Sequence, residues 1–504
     1  MRRLAALLAL VMVLAVLGIS RPGWSQSATE FRFATNEDMV NLDPAQLSIA
    51  GDRLIAENIY NGLLRFKPGT TEVLPDLAED FTVSPDGKTW AFKIRRGVQF
   101  HRGFGELTSR DVKFTIERHL DPATRSRERL QFVLVDRIET PDPYTVRFVL
   151  KEPSATFAGT LAWHSGFVMS ERATRALGKD IAFKAVGTGP FMMESWIPGE
   201  KIVLVGNENF FRGRPAFRQI TFRVIQEDLV AIYALLKGEI DAVAVRQIGG
   251  YRAVSRFQTK LKLFKAPGGW QYWGYVQTKK APTSDQRVRE AIGHAVNIEK
   301  MSESMGGFVD SNPSFFNPLI LGWTKNVGAY RHDPRRARML FEQAAASQRI
   351  KIIYSKAHLY EEYALMLKDQ LSPYVGVDVE LIDRALFGRK MAEGDWNIGV
   401  WAVTRLEADQ YLSPFLHSRG PVNYSKYTNP EMDRLIEAAR KEMNTERRKQ
   451  LHVDIQKLVA KDLPIVAMGT MQSIVAARPE VFGIQPHTYV GLINLYTARI
   501  GAAK

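Results

Sequence analysis

Residues 228–245 read DLVAIYALLKGEIDAVAV, and this stretch contains the signals of a helix and a strand in direct succession. The first ten positions predict a helix over residues 228–237. Gly238 ends that helix, because glycine readily takes the left-handed conformation found just past helix ends. Residues 240–245 then predict a strand. A helix joined this closely to a strand is typical of α/β proteins, in which helices cover a sheet.

Strand signals alternate with helix signals along the rest of the chain. Residues 82–94 predict a β-hairpin, because Pro85 and Gly87 suit the second and fourth positions of a type I turn. Apolar residues at every second position predict the strand after this turn and another near residue 146. These alternating residues are Trp90, Phe92 and Ile94 in the first strand and Val146, Phe148 and Leu150 in the second.

Helices dominate the second half of the sequence. An apolar stripe of helical spacing predicts one buried face; its members are Val288, Ala291, Ile292, Ala295 and Val296. Asn429 is predicted to cap a helix that begins at Pro430. Thr445 is predicted to cap the next helix, which Pro464 ends. The chain contains no internal repeats or long linkers, so its domains are expected to be intertwined.

The first residues resemble a secretory signal peptide. Arg2 and Arg3 precede the uncharged residues 4–19, and Gly23 and Ser25 suit a cleavage site after residue 25. A membrane anchor is the alternative, but 16 helical residues span only about 24 Å, less than the roughly 30 Å of a bilayer core. We therefore expect a soluble periplasmic protein. The chain has no cysteine, which excludes disulfides, thiolate chemistry and a lipid-modified cysteine anchor.

The length of the chain indicates how many domains it has, and its charge distribution bears on nucleic-acid binding. The 504 residues exceed the roughly 250–300 at which a single core stops growing, so two or more domains are expected. The net charge of +14 falls to +11 when the signal peptide is removed with its three arginines. Basic residues are scattered and are not interleaved with aromatics, which favours a solvated surface over a nucleic-acid site.

The motifs of familiar enzymes are missing from the sequence. No two histidines have HxH or HxxxH spacing, and there is no GxSxG, SxxK or HExxH. Residues 87–89 resemble the end of a phosphate-binding loop, but position 82 is threonine instead of the glycine that begins such a loop. Residues 187–190 begin like a dinucleotide-binding fingerprint, but Pro190 and the missing third glycine break that pattern. We therefore expect a protein that is not an enzyme and that needs neither a metal nor a cofactor.

Aromatic residues are the most prominent feature that remains. Four of them follow residues 267–269, Pro-Gly-Gly, and two tryptophans flank a strand predicted near residue 400. Large aromatics beside glycine-rich bends can wall a ligand cleft, although any one of them is more often ordinary core. The six residues are Trp270, Tyr272, Trp273, Tyr275, Trp396 and Trp401.

A series of short motifs resembles the extracytoplasmic solute-binding proteins of family 5, which include dipeptide-, oligopeptide- and nickel-binding proteins. Each motif alone is weak, but their shared order over nearly the whole mature chain is specific. The motifs are residues 42–44 (LDP), 59–63 (IYNGL), 74–79 (LPDLAE), 84–89 (SPDGKT), 92–101 (FKIRRGVQFH), 108–112 (TSRDV), 187–191 (GTGPF), 207–211 (NENFF), 237–241 (KGEID) and 285–292 (DQRVREAI).

The resemblance implies a type II periplasmic-binding-protein-like fold with two α/β lobes, a hinge, and an extra domain inserted in the first lobe. Lobe one would comprise residues 28–58, 185–262 and 483–504. The inserted domain would comprise residues 59–184, and lobe two residues 263–482. A ligand would bind between the lobes, and hinge motion would close them over it. The closed, monomeric protein would then dock on an ABC permease whose ATPase is a separate chain.

The sequence departs from its peptide-binding relatives at the cleft. Their segment equivalent to residues 400–415 carries an aspartate that pairs with the peptide amine, and that position falls at Thr404, beside Arg405. The nearest carboxylates, Glu407 and Asp409, come a few residues late. An arginine there suits a carboxylate or phosphate, although a carbohydrate also fits. We therefore expect that this protein does not hold a free peptide amine as the dipeptide binders do.

The sequence thus predicts a binding protein for a peptide, an opine-like amino-acid conjugate or an oligosaccharide. A secreted hydrolase and a non-transport receptor or chaperone with the same cleft remain the alternatives. The candidate ligand contacts are Asn36, Glu37, Trp270, Tyr272, Trp273, Trp401, Arg405 and Tyr489.

Overall fold

The computed structural model describes residues 30–328, 330–345, 348–356, 359–489 and 492–501. The predicted signal peptide, residues 1–25, lies outside the described residues. Within the described ranges, no helix has the length and apolar character needed to cross a membrane.

Strands and helices alternate through these residues, as the sequence predicts for an α/β chain. The strands are β1 (Glu30–Thr35), β2 (Leu64–Phe66), β3 (Val73–Pro75), β4 (Ala78–Val83), β5 (Thr89–Ile94), β6 (Val135–Asp142), β7 (Thr145–Leu150), β8 (Phe191–Ile197), β9 (Lys201–Gly206), β10 (Gln219–Val224), β11 (Ala242–Val245), β12 (Lys262–Val276), β13 (Val309–Asp310), β14 (Arg349–Ser355), β15 (Gly376–Ile382), β16 (Ile398–Thr404), β17 (Ile465–Ala477), β18 (Val481–Phe482) and β19 (Arg499–Ile500). The α-helices are α1 (Ala50–Ile59), α2 (Ser109–Leu120), α3 (Phe157–Ala162), α4 (Glu171–Leu177), α5 (Asp228–Leu236), α6 (Ile248–Arg256), α7 (Gln286–Ala295), α8 (Ile298–Ser304), α9 (Pro334–Ala345), α10 (Tyr360–Leu371), α11 (Arg384–Glu393), α12 (Asp409–Phe415), α13 (Pro430–Lys441) and α14 (Thr445–Asp462).

The largest sheet carries parallel strands in each half and two long antiparallel strands between them. Its order is β15–β14–β16–β12–β17–β11–β1–β10–β9–β8, with β13 paired to β17. Strand β1 is parallel to β10 and β11, and β14 is parallel to β15 and β16. Strand β12 pairs with both β16 and β17, and β17 also pairs with β11. These two long strands therefore join the halves of the sheet.

A separate antiparallel sheet of four strands, in the order β4–β5–β7–β6, has its own apolar core. The predicted hairpin is confirmed: Val83 pairs with Trp90, and Gly87 has a φ of 69° in the connecting turn. The predicted alternation is confirmed as well, because Phe92 and Phe148 are both fully buried. This sheet therefore forms a unit with a core of its own, apart from the main sheet.

The helical predictions are confirmed with small shifts at the ends. Helix α5 is followed by Gly238 with a φ of 75°, and β11 begins two residues later than predicted. Asn429 caps α13 by accepting hydrogen bonds from two backbone N–H groups. The prediction that Thr445 caps α14 was wrong. Asn444 is the cap, accepting from the Arg447 N–H, and Thr445 is the first helical residue.

Two of the motifs that resemble family 5 meet in space. The Nδ1 atom of His101 accepts a hydrogen bond from Gly187 N at 3.3 Å, and its Nε2–H donates to Gly189 O at 2.9 Å. Burial lowers the pKa of His101 to about 4, so the ring is neutral and can both accept and donate. Gly187 and Gly189 lie directly against the backbone of Ile59, at the end of α1. The glycines are therefore needed for this close approach.

We expect Gly187→Ala to lower the free energy of unfolding by about 3 kcal/mol, since overpacking in a rigid site typically costs this much. The new Cβ would overlap the carbonyl oxygen of Ile59, which is backbone and cannot rotate away. Urea denaturation measures the change. Gly249→Ala is the control: a Cβ in α6 would meet nothing within 4 Å, and alanine should stabilise the helix by roughly 0.5 kcal/mol. Similar effects of the two variants would contradict the prediction.

Candidate ligand-binding cleft

A cavity of about 440 Å³ opens beside the main sheet, between the N-terminus of α1 and strand β16. One side is formed by residues that precede and begin α1. The other side is formed by β16, the start of α11 and residues 414–424. Segments distant in sequence therefore face each other across one space, and ligand cavities of roughly 300–1,000 Å³ are typical of small-molecule sites.

Aromatic rings form much of the cavity wall. The Trp401 ring stacks on Tyr424 with 5.7 Å between centroids and lies 5.2 Å from the ring of Phe387. The Trp270 ring meets Tyr489 edge-on at 6.1 Å. All five residues line the cavity. Their flat apolar faces would cover the body of a small ligand and exclude water from it.

Three arginines also line the cavity. Arg53, on α1, donates to the Tyr489 hydroxyl at 3.2 Å, and its buried Nε has no hydrogen-bond partner. Arg405 donates one N–H to Thr404 O at 2.7 Å. Arg384, the first residue of α11, is exposed and makes no ion pair with a described residue. The cavity therefore has unsatisfied donors that an anionic group could accept from.

Glu37 is the one carboxylate among the described residues that line this cavity. Its Oε2 atom accepts hydrogen bonds from Ala50 N at 3.1 Å and Gly51 N at 3.3 Å, at the start of α1. These two donors belong to the first turn of α1, whose N–H groups have no partner within the helix. The carboxylate is thus fixed at the cavity wall, where its second oxygen could accept from a ligand amine.

A buried acidic residue lies behind two of the arginines. The Oε1 atom of Glu128 accepts from His164 Nε2 at 3.1 Å. Burial opposes ionisation of Glu128, but His164, Arg405 and Arg53 together lower its pKa. Burial lowers the pKa of His164 to about 4, so its ring is neutral. Even with Glu128 counted, the three arginines exceed the two carboxylates.

Comparison with known proteins now identifies the family. The family model for "Bacterial extracellular solute-binding proteins, family 5 Middle" matches residues 72–423, well over half of the chain. The chain belongs to this family. It is an extracellular solute-binding protein with the periplasmic-binding-protein fold, as the motif order predicts.

Individual relatives of this solute-binding protein match along nearly their whole length. Heme-binding protein A of Haemophilus influenzae is 25% identical over 91% of this chain and 90% of its own. The glutathione-binding protein GsiB of Salmonella choleraesuis is 25% identical over 92% and 93%. The periplasmic binding protein DppA of Helicobacter pylori, solved with the peptide STSA, is 25% identical. It covers 94% of this chain and 98% of its own, with a TM-score of 0.82.

The solute-binding protein brings most of the predicted contacts to one cavity. Five of the eight line it: Glu37, Trp270, Trp401, Arg405 and Tyr489. Asn36 does not line it and instead accepts a hydrogen bond from Arg246 at 2.6 Å. Tyr272 and Trp273 also lie off the cavity wall, fully buried and stacked on Tyr363 and Phe315. The structure therefore places these three predicted contacts away from the cavity that the other five line.

The burial of Tyr272 and Trp273 away from this cavity has a clear physical cause. Residues 267–269 were interpreted as a bend, but they lie inside the single long strand β12, where the register with β17 shifts. A side chain at Gly268 would overlap the carbonyl oxygen of Met471. Since helices and loops cover both faces of this part of the sheet, successive residues are all buried. Trp270 alone of the four aromatics lines the cavity.

Sequence reasoning missed several residues of this cavity. Arg53, Arg384 and Tyr424 were not predicted, because they come from segments whose meeting depends on the complete fold. One available signal was the position of Arg53 on the helix that follows the LDP motif. Glu407 and Asp409 do not line the cavity. The Glu407 carboxyl lies against Gly159 of α3, where a side chain would overlap it.

Proposed function

We propose that the protein is the substrate-binding component of an ABC importer and that it captures a small amino-acid-derived solute with more than one carboxylate. The observation that carries this proposal is the excess of three arginines over a single carboxylate on an aromatic-walled cavity. Family membership supports the transport role. The loaded protein would dock on a membrane permease whose ATPase is a separate chain.

The charges of the cavity favour a peptide or opine-like conjugate over an oligosaccharide. Guanidinium groups bind carboxylates through two parallel hydrogen bonds, and Arg53, Arg384 and Arg405 offer such donors from three directions. Glu37 offers an acceptor for an amine on the side of the cavity that faces Arg384 and Arg405. A neutral sugar would leave these charges without partners, which is costly once water is excluded.

Capture would involve closure of two lobes. We place lobe one in residues 28–58, 185–262 and 483–504, the inserted domain in residues 59–184, and lobe two in residues 263–482. Support comes from the sheet, because only the long strands β12 and β17 run through both halves. Closure would bring Arg53 and Glu37 of lobe one against Arg384 and Arg405 of lobe two.

Binding without turnover is part of the proposal. The family and its relatives are binding proteins. The Ser48 hydroxyl on the cavity wall donates to Asp52 Oδ2 at 3.1 Å, but that carboxylate is fully buried and already accepts from backbone N–H groups. Within the described ranges, no three metal-ligating side chains cluster together. We place the protein outside the cytoplasmic membrane as a monomer without a lipid anchor, after removal of residues 1–25. A bound ligand that is hydrolysed would instead support the secreted hydrolase.

A thermal-shift screen of refolded protein tests the ligand class. Refolding removes any ligand that co-purifies, and four pools are compared: peptides, opine-like conjugates, oligosaccharides and metal chelates. Ligand at 100 times its Kd should stabilise the native state by about 2.7 kcal/mol. We expect a saturable shift with members of the first two pools that carry an additional carboxylate. A shift with neutral sugars alone would overturn the ligand class and leave the binding role intact.

We expect Trp401→Ala to weaken binding of the screened ligand by about 1–3 kcal/mol, through lost apolar contact and stacking. The ring lies on the cavity wall between Tyr424 and Phe387, so truncation opens one side of the site. Isothermal titration calorimetry gives the dissociation constant. Trp401→Phe should retain most of the affinity, because it keeps a flat apolar face. An unchanged dissociation constant for the alanine variant would remove Trp401 from the site.

A further inference from the structure

A second cavity, of about 400 Å³, lies behind the cleft. Its walls come from the end of α1, strand β2, residues 162–167, residues 210–212, residues 485–487 and residues 492–497. It shares no lining residue with the cleft cavity. We call it the rear cavity.

An unpaired arginine is the main polar feature of the rear cavity. Arg65, in the middle of β2, is partly buried, and its Nε is completely buried without a hydrogen-bond partner. It makes no ion pair with any described residue. Glu57 of α1 interacts with it only through space. A guanidinium held in this way lacks the acceptor that buried charged donors normally have.

The remaining charges of the rear cavity do not neutralise Arg65. Asp76 is occupied, because it pairs with Arg212 and accepts a hydrogen bond from Asn61 at 3.0 Å. Burial raises the pKa of Glu57 to about 7, against the opposing effect of Arg212 and Arg65. Near neutral pH this carboxyl is therefore protonated in a large share of molecules, and it can then donate a hydrogen bond to an anion. Lys67 also lines the cavity, but its ammonium pairs with the exposed Glu72 at 2.8 Å, so Arg65 is the lining cation without an ion-pair partner among the described residues.

Apolar rings surround this charged position. Phe66, Trp163, Phe167 and Phe210 all line the rear cavity. Phe66 and Trp163 meet edge-on, with 6.4 Å between ring centroids. Such walls would cover a flat apolar body, while a fully hydrated inorganic ion would leave them exposed to water. The cavity thus combines the unpaired Arg65 guanidinium with an aromatic lining.

We propose that the rear cavity is a second binding site, which takes a small organic carboxylate with an apolar body and holds its carboxylate on the Arg65 guanidinium. The site is separate from the cleft and does not depend on the ligand proposed there. The two cavities meet at one wall, where the Trp163 ring lies 5.7 Å from the ring of Tyr489.

Calorimetric titration of the full chain with benzoate tests this proposal. Benzoate has the required charge and apolar ring, and neutral benzamide has the same shape without the charge. We expect saturable binding of one benzoate and at least a tenfold weaker response to benzamide. Arg65→Met should weaken benzoate binding by a factor of about ten or more, as expected for loss of a charge-assisted hydrogen bond. Arg175→Met removes an exposed arginine that does not line the rear cavity and should have no effect.

Two further variants keep the test decisive if Arg65→Met does not fold. Leu74→Trp would fill the rear cavity without removing a charge, and it should also abolish benzoate binding. Arg405→Met changes the cleft and leaves the rear cavity intact, so this variant should still bind benzoate. Loss of binding in Arg405→Met with retention in Leu74→Trp would place benzoate in the cleft and overturn the proposal. Absence of saturable binding at millimolar benzoate would overturn it as well.

Discussion

Replacing Asp52 with alanine is expected to lower the free energy of unfolding by about 4 kcal/mol, because buried N–H groups left without acceptors cost roughly 1–3 kcal/mol each. The Asp52 side chain is fully buried. Its Oδ1 accepts from Val40 N at 2.6 Å and Asn41 N at 3.0 Å, and its Oδ2 accepts from Ser48 N at 2.9 Å and Ile49 N at 3.2 Å. One carboxylate therefore satisfies four backbone donors of the loop before α1.

Urea denaturation of Asp52→Ala measures this loss, and Asn444→Ala provides the control. Asn444 caps α14 with a single hydrogen bond to Arg447 N, and loss of such a cap typically costs about 1 kcal/mol. Because Ser48 and Ile49 also line the cleft, Asp52→Ala should weaken ligand binding as well. A loss no larger than that of the control would mean that the loop finds other acceptors.

The second large effect is expected on affinity. Arg405→Met should weaken binding of a carboxylate ligand by about 2–4 kcal/mol, since truncating one partner of a desolvated charge pair has effects of this size. Arg405 lines the cavity and has donors that no described residue occupies. Arg405→Lys should recover only part of the affinity, because an ammonium keeps the charge and loses the planar pair of donors.

Calorimetry with the ligand identified by screening measures both Arg405 variants, and thermal unfolding without ligand confirms that they fold. Trp396→Phe is a suitable control for changes in the same strand region, because Trp396 is buried away from the cavity. An unchanged dissociation constant in Arg405→Met would contradict the assignment of a carboxylate to this position. It would favour a neutral ligand such as an oligosaccharide.

Local sequence patterns predicted most of the fold, because the relevant interactions lie within a few residues. The helix before Gly238 and the hairpin at Gly87 depend on backbone conformations that glycine permits, so their signals are contained in single turns. The cap of α14 was misplaced by one residue, since Asn444 and Thr445 are both good capping residues. Such boundaries depend on packing that local patterns do not encode.

The site was harder to predict because its residues are joined only by the tertiary fold. A glycine pair inside a strand looks like a turn until the partner strand is known, and at Gly268 that partner is Met471, about two hundred residues later. Arg405 was found through comparison with peptide binders. Arg53 and Arg384 carried no pattern of their own, and their shared role emerges only from their positions around one cavity.

The position of β17 has a consequence for how the chain is made. This strand lies in the middle of the main sheet, between β12 and β11, although it is formed by residues 465–477 of 504. A chain that emerges from its N-terminus therefore cannot complete the central ladder until almost all of it is available. Until then, the halves of the main sheet lack one of the two strands that join them. A truncation that begins before residue 465 would remove β17 and so separate β12 from β11.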